Sequence, residues 1–444
     1  MLRGNNDQLT LFSKEMYYYS VHNNIVKNYI HVMKYMGSKR ELLEIIEQII
    51  SKNTSSGGVV LDLFSGTCGV GMYLRDKFPT YSNDIQLYSS SISKGTIEIP
   101  PMTISCETIW RLIEKRYNEN YNFLTKKMGK LLRKSNSFVQ LKKWNNTLLK
   151  NYLIFQEEAP SPVSTLKTNA ESHWLRVEYK KHQQQKKTFP YIQTTYLFSE
   201  MYFSLNQSIS IDSLKYAIDG LDIKDKKLAD LLKVALIHAF SYCSAGTGHF
   251  AQFRDLSTLS SVEDVFIYRK RSVLEYFFKK AEEIIQGSSL NIYSEASRSF
   301  NLDYLDLLGK KNLMSKVSLV YADPPYSFVH YSRFYHAVED LCRYDYPEVE
   351  YKGRYRKDRH QSPFCIKSKA PAAFEEMLRA VRKYKIPILI SYSNTGMITI
   401  EVLMKIAHDS GYTTKLVKVA HKHSTMGRLK DKSRDVTEAL LLCS

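Results

Sequence analysis

At 444 residues, with 43% apolar and 24% charged residues, the chain has the composition of a soluble globular protein of about two to three domains, not of a disordered or fibrous chain. Lys and Arg number 63 against 45 Asp and Glu, and the resulting net charge of +18 points to a polyanionic partner, DNA or RNA first. The six cysteines are scattered with no C-x-x-C pair, which argues against a metal site and a disulfide framework and fits a reducing cytosol. No N-terminal apolar signal is visible, and no apolar stretch approaches the roughly 18 residues that span a bilayer, so no membrane partner is expected.

Residues 1–24 show little apolar periodicity and read as an extension. A helix is predicted to open at Ser38, where Ser38-Lys39-Arg40-Glu41 fits a capping box. Leu42, Leu43, Ile45, Ile46, Ile49 and Ile50 then recur at helical spacing. After the break at Gly57-Gly58, Val59-Val60-Leu61 reads as a buried strand entering a glycine-rich turn from Asp62 to Gly71. A helix over 70–77 and a strand ending at Ser82-Asn83-Asp84 complete a βαβ unit with an acid at its end. From residue 96 the pattern changes. Residues 107–150 read as helical and basic, 156–170 as a loop, 180–187 as a polar exposed stretch, 224–243 as an amphipathic helix and 262–286 as another helix. No internal repeat is seen. The α/β rhythm resumes with a strand predicted at 290–293 and an apolar strand from Val317 to Ala322. A helix over 371–384, a buried strand over 386–394 and a terminal antiparallel pair, 413–420 and 436–442, joined by a basic loop, complete the chain.

The segment Asp323-Pro324-Pro325-Tyr326, at the C-terminal end of the 317–322 strand, carries the most chemistry. Prolines fix φ and lack an N–H, so the Pro324 carbonyl is held as a pure acceptor. Asp323 adds a second acceptor and Tyr326 a flat face. Two acceptors beside a stacking ring suit an exocyclic amino group on a planar base. The turn from Asp62 to Gly71 lets backbone approach a ligand at a strand-to-helix junction. Asp84, at the end of the following strand, suits the two hydroxyls of a ribose. Lys39, at a predicted helix N-terminus, suits a carboxylate. Asp303 suits an adenine amino group, with a helix cap as the competing reading and Asp306 as a competing residue. In Gly246–Gln252, His249 reads as a structural or a catalytic histidine, and Gln252 suits a base edge. From Arg111 to Lys150 eleven Lys and Arg stand against two acids, and Lys352, Arg354, Arg356, Lys357 and Arg359 form a second basic cluster with Tyr351 and Tyr355 interleaved.

Taken in order, Tyr35-Met36-Gly37-Ser38-Lys39, the turn Asp62-Leu63-Phe64-Ser65-Gly66-Thr67 through Gly71, Asn83-Asp84, Asp323-Pro324-Pro325-Tyr326 and Ser391-Tyr392-Ser393-Asn394 resemble the DNA adenine-N6 methyltransferases of the Dam-like (D12, alpha) class. The resemblance covers residues 25–95 and 290–444, with Gly248–Gln252 similar to a segment of some members. It implies an α/β, Rossmann-like S-adenosylmethionine-dependent methyltransferase fold. The catalytic domain would be formed by 25–95 and 290–444 behind the extension 1–24, with a mostly helical DNA-recognition insert over 96–289. S-adenosylmethionine is the implied cofactor, held by Tyr35, Gly37, Ser38, Lys39, Asp62, Phe64, Ser65, Gly66, Thr67, Asp84 and Asp303, with Lys39 near its carboxylate. Asp323, Pro324, Pro325 and Tyr326 are the implied catalytic residues. Double-stranded DNA is expected on Lys126, Lys127, Arg133, Lys142, Lys143, His249, Gln252, Arg354 and Arg356. In one departure, Cys68 stands where the family often has Gly.

The implied reaction is methylation of N6 on a flipped adenine. The setting expected from the family is a cytoplasmic modification enzyme of a restriction or phage-defence system, with the cognate nuclease as partner. An N4-cytosine methyltransferase is the nearest alternative, and Asp323 favours adenine because cytosine enzymes of this type more often carry Ser there. A catalytically silent DNA-binding protein is the alternative of another class.

Overall fold

The structure, a computed structural model, describes residues 29–55, 57–159, 169–185, 189–254, 256–326, 331–351, 354–393, 395–422 and 435–444. The predicted extension 1–24 and most of the basic loop 421–434 lie outside the described residues.

Short runs of aliphatic and β-branched residues form the centre of the molecule. They build β1 (Val59–Asp62), β2 (Thr80–Asn83), β3 (Arg298–Phe300), β4 (Val317–Ala322), β7 (Ile388–Ser393), β8 (Thr414–Lys422) and β9 (Asp435–Cys443). The two-residue strands β5 (Val349–Glu350) and β6 (Tyr355–Arg356) pair separately as a small antiparallel ribbon. The main sheet has the order β3-β2-β1-β4-β7-β9-β8. The first five strands are parallel, β9 runs antiparallel to β7, and β8 antiparallel to β9.

Successive side chains of a strand point to opposite faces, and the core divides accordingly. Val60, Leu319, Tyr321, Leu389 and Leu440 pack with Leu43, Ile46 and Ile50 of the helix Leu43–Asn53. Leu61, Val320, Ile388, Ile390 and Leu441 pack with Phe374, Met377, Leu378 and Val381 of the helix Ala370–Arg382 on the other face. Covering both faces is what allows a parallel sheet to be apolar throughout. The chain runs outward from β1 through β2 to β3 on one side, and from β4 to β7 on the other. The order therefore reverses between β1 and β4, and a crevice opens at their carboxyl ends, where ligands of open α/β sheets bind.

Between β2 and β3 the chain is helical, including Cys106–Lys127, Gly129–Val139, Asn146–Glu158, Ala170–Gln185, Leu205–Asp222, Lys226–Cys243, Leu259–Arg269 and Val273–Gly287. The helix expected to be amphipathic over 224–243 is instead buried on nearly every side, from Leu228 to Cys243, because helices lie all around it. The stretch 180–187 begins as the end of a helix, and His182 there is buried and stacked on Tyr346. One predicted helix over 262–286 is two, broken after Arg269 and restarted by Ser272, which caps the second.

Two further expectations fail. No strand forms at 290–293: a 3-10 turn, Ser288–Leu290, occupies the segment, and the Asn291 side chain is drawn away to the Thr96 and Ile99 carbonyls. The strand comes later, at Arg298–Phe300. The capping box at Ser38 also does not form: the first turn is 3-10, Arg40–Leu42, Lys39 holds the N-cap position, and no side chain caps it.

Cys68 lies in the left-handed region at φ 58°, which explains why a glycine suits this position in related turns. Its thiol is buried beside Ser82 and fills the space next to Gly71. Cys68→Gly is therefore expected to change stability little, relief of backbone strain offsetting the lost packing. Cys68→Val, β-branched at positive φ, is expected to cost about 1–3 kcal/mol. Thermal unfolding of the two variants measures the difference, and equal melting points would contradict it.

Candidate active site

The crevice at the β1/β4 reversal is open to solvent at its mouth. Its floor is built from strand ends. Asp62 closes β1, Asn83 closes β2, and Asp323 follows β4. The Asn83 amide ties three elements by donating to the Leu63 and Leu302 carbonyls and accepting from the Leu302 N–H.

On the β1 side, the turn folds back on the acid after β2. The Gly66 N–H donates to Asp84 Oδ2 at 3.0 Å, and the Gln86 N–H to Oδ1 at 2.9 Å. Gly66 has φ +51°, and a side chain there would meet the Tyr35 ring at 3.0 Å, so only glycine fits. Burial still pushes Asp84 up to about 6 despite these bonds. Asp62 is buried, its carboxyl pushed well up by desolvation and then by Asp323 and Asp84. Its Oδ1 has no hydrogen-bond partner among the described residues. Phe64 packs against Tyr304 and edge-on against Phe364. Ser65 bonds Ser89 through its hydroxyl, and Thr67 also lines the crevice. Asp303 caps the helix Tyr304–Leu308, accepting from the Leu305 N–H with one oxygen while it faces the crevice.

On the β4 side, Pro325 is fixed by the Cys365 thiol, which donates to its carbonyl at 3.3 Å. Tyr326 is buried, edge-on to Tyr392. Asp323 stays about one-fifth open, with its side chain 19% exposed. Desolvation pushes its carboxyl up to about 6, opposed by Lys39 and reinforced by Glu438.

Lys39 lines the crevice and is paired within the protein. Its ammonium reaches the partly exposed Asp323 at 3.1 Å and the buried Tyr326 and Glu438 at 3.3 Å and 3.5 Å. The charge is thus shared between the Asp323 and Glu438 carboxylates. Gly37, at φ +80°, makes the turn that brings Lys39 inward, while Ser38 stays exposed. Tyr35 stacks on Tyr335 at 4.7 Å, and the Tyr335 hydroxyl accepts from the Met36 N–H, which docks this segment on the chain just beyond Tyr326.

The expected DNA contacts divide. Lys126, Lys127, Arg133, Lys142 and Lys143 are all exposed, as phosphate contacts require. Gln252 is exposed and His249 half-buried. The His249 Nδ1 accepts from the Ala251 N–H, and the ring packs edge-on to Phe334. Its loop is pinned by the Phe334 carbonyl, Tyr202, Tyr355 and His336, so it abuts the segment that follows the Asp323–Tyr326 turn. Arg354 and Arg356 are corrections. Arg356 is 4% exposed and locked by Asp340, Asp345 and Asp358, so it braces the fold and is closed to phosphate. Arg354 is equally buried, facing Tyr202 and Tyr196.

Sequence reasoning missed several lining or supporting groups. Glu438 had a signal, an acid directly before the apolar run Ala439–Leu442. The stretch 360–365, which walls the crevice with His360, Gln361, Pro363 and Cys365, had none. Glu339 was also missed: its carboxylate accepts from the Leu87 and Tyr88 N–H groups and so caps the helix that follows Asp84.

Residues 35–214 match the family described as D12 class N6 adenine-specific DNA methyltransferase. The match takes in the Tyr35–Lys39 segment, the glycine turn, Asp84 and the first helices of the region between β2 and β3; the Asp323 turn lies beyond it. The chain is also similar to modification methylases. It is 24% identical to modification methylase LlaI of Lactococcus lactis subsp. lactis over 380 residues, 84% of this chain and 48% of that protein. It is 24% identical to modification methylase StsI of Streptococcus sanguinis, over 84% of this chain and 46% of that one. For the type II methyltransferase M.FokI of Planomicrobium okeanokoites the figures are 23%, 88% and 49%. The chain spans about half the length of these curated relatives.

Asp62 has a sign-definite pH dependence. A carboxyl whose folded pKa is raised binds protons that the unfolded chain has already released, so its contribution opposes folding increasingly as pH rises above the ordinary carboxylate range. Asp62→Asn is expected to stabilise the ligand-free protein by about 1 kcal/mol or more at pH 8, and not at pH 4. Urea unfolding at the two pH values checks this; an equal effect at both would exclude a charge origin.

Proposed function

We propose that the protein is a site-specific DNA adenine-N6 methyltransferase using S-adenosylmethionine, with a Rossmann-like catalytic domain formed by 25–95 and 290–444 and a DNA-recognition insert over 96–289. The observation that carries the reading is the turn at the end of β4. There Asp323, the Pro324 carbonyl and the Tyr326 ring stand together beside a cradle suited to a cationic nucleoside cofactor.

The residues fit that cofactor. Asp62 offers a buried, incompletely bonded carboxylate for its ammonium group, and Asp84 offers a carboxylate already aligned by two backbone N–H groups for its ribose hydroxyls. Tyr35, Phe64, Ser65, Gly66 and Thr67 shape the wall, and Asp303 retains a carboxylate oxygen for the adenine amino group. Gly37 and Ser38 set the turn beside it. When bound, the cofactor supplies an electrophilic methyl group on a sulfonium.

The target adenine has to leave the duplex for its amino group to reach the crevice. Tyr326 stacks on the extruded base. Asp323 and the Pro324 carbonyl accept the two amino hydrogens, which directs the nitrogen lone pair away from the ring. These acceptors lie where positive charge develops on nitrogen, and so favour the transition state over the ground state. No covalent enzyme intermediate is required. Lys126, Lys127, Arg133, Lys142 and Lys143 hold phosphates, and the His249–Gln252 loop lies near the base. The relatives' names support a modification role, which would pair this protein with a restriction or defence nuclease acting in the same cytoplasm.

Incubation of genomic DNA with the protein and methyl-labelled S-adenosylmethionine, followed by nucleoside mass spectrometry, is expected to yield N6-methyladenine. N4-methylcytosine would overturn the substrate, and no methylated base would overturn the reaction. Asp323→Ala is expected to bind cofactor normally and to lose turnover by about a thousandfold or more. Replacing Lys126, Lys127, Arg133, Lys142 and Lys143 by Gln is expected to flatten the salt dependence of DNA binding by roughly one unit of slope per contact. An unchanged slope would remove these residues from the interface.

A further inference from the structure

Glu438 is 1% exposed, on β9, opposite Ser393 of β7. A lone carboxylate there would be costly, yet apolar Ala439 and Leu440 follow it directly in the strand. Its geometry shows what it is for. Oε1 accepts from the Tyr326 hydroxyl at 3.1 Å, and Oε2 stands 3.5 Å from the Lys39 ammonium. That ammonium has three N–H donors and faces three acceptors: Asp323, the Tyr326 hydroxyl and Glu438. We propose that Glu438 is a positioning residue of the catalytic centre, sharing the Lys39 ammonium with Asp323 and anchoring Tyr326 by its hydroxyl so that its ring offers one orientation to the base. This rests on the amine-methylation reading above.

The chemistry gives the sharing a purpose. Methylating an exocyclic amine forms one N–C bond, breaks the donor's S–C bond with the electron pair left on sulfur, and releases one proton from nitrogen. Asp323 is the carboxylate placed to take that proton and pass it to solvent at the crevice mouth. A lysine paired with Asp323 alone would keep it ionised but make it a poor base. A second carboxylate on the same ammonium weakens that pairing. The charged and titratable groups facing Asp323 are Lys39, Asp62 at the end of β1, Tyr321 of β4, Tyr326 and Glu438 of β9. Lys39 pulls the Asp323 carboxyl down and Glu438 pushes it up. Because Tyr326 and Lys39 both stand between Glu438 and the crevice, Glu438 acts through them and does not touch substrate.

The test uses the full-length protein with ¹³C-labelled aspartate. The Asp323 carboxyl signal is assigned by its loss in Asp323→Asn and titrated with and without Glu438→Gln. The glutamine keeps an acceptor for Tyr326 and removes the charge, so the Asp323 midpoint is expected to move to lower pH while cofactor affinity is unchanged. In single-turnover methylation the acidic limb of the rate profile should move the same way, and the plateau should fall by about tenfold as Asp323 becomes a weaker base. Glu438→Ala, which also frees the Tyr326 hydroxyl, should fall further, and the glutamine should rescue part of that loss. Should Glu438→Gln fail to fold, Glu438→Asp withdraws the carboxylate by one methylene and should move the midpoint less, in the same direction. An Asp323 titration that does not move in a folded variant overturns the inference. A wild-type protein that titrates as described but methylates no DNA overturns the methylation reading instead.

Discussion

The burial of one ammonium among carboxylates governs the centre of this molecule. Asp62, Asp84 and Asp323 line the crevice where the strand order reverses, Glu438 stands behind Tyr326 and Lys39, and Lys39 is the cation paired with Asp323 and Glu438. In a medium of low dielectric such a group of acids cannot all be ionised without a counter-charge. Lys39 meets the need beside Asp323, where it also touches Tyr326. Asp62, on the β1 side, has no such cation within ion-pair distance among the described residues, and under the function proposed above that asymmetry suits a cationic ligand.

The same crowding separates stability from activity. Desolvation raises Asp62, Asp84 and Asp323, so each works against the folded state near neutral pH. The stability that tolerates them is elsewhere. It lies in the two-sided packing of the parallel strands and in helices such as Leu205–Asp222 and Lys226–Cys243, which are buried along most of their length. Functional sites are often where a sequence departs from local optimisation, and Cys68 in a left-handed conformation is a second instance in the same turn.

Much of this arrangement was legible in the sequence because it follows from local rules. The strands at 59–62, 317–322 and 388–393 announced themselves as uninterrupted apolar runs, and the terminal antiparallel pair by its alternation. The acid after each strand was readable because strand ends meet in the crevice. What was not legible depends on long-range packing. Whether Arg356 meets a phosphate or three carboxylates is decided by Asp340, Asp345 and Asp358, and no spacing rule links them to it. Lys39 was recognised as a site residue, but its pairing with Glu438 was not legible, because Glu438 comes from the far end of the chain. The false strand at 290–293 shows the reverse error, where local propensity lost to the Asn291 side chain's bonds with a distant helix end.

The contact between Lys39 and Glu438 joins an early and a late segment of the polypeptide, a pairing of high sequence separation that forms more slowly than local contacts do. The sheet can grow outward from β1 and β4 before β9 arrives, and the crevice can take shape with it. Tyr326 acquires its anchor only when β9 docks against β7. A molecule in which β9 has not docked would keep the Asp62–Asp84 side of the crevice but lack the anchor of Tyr326.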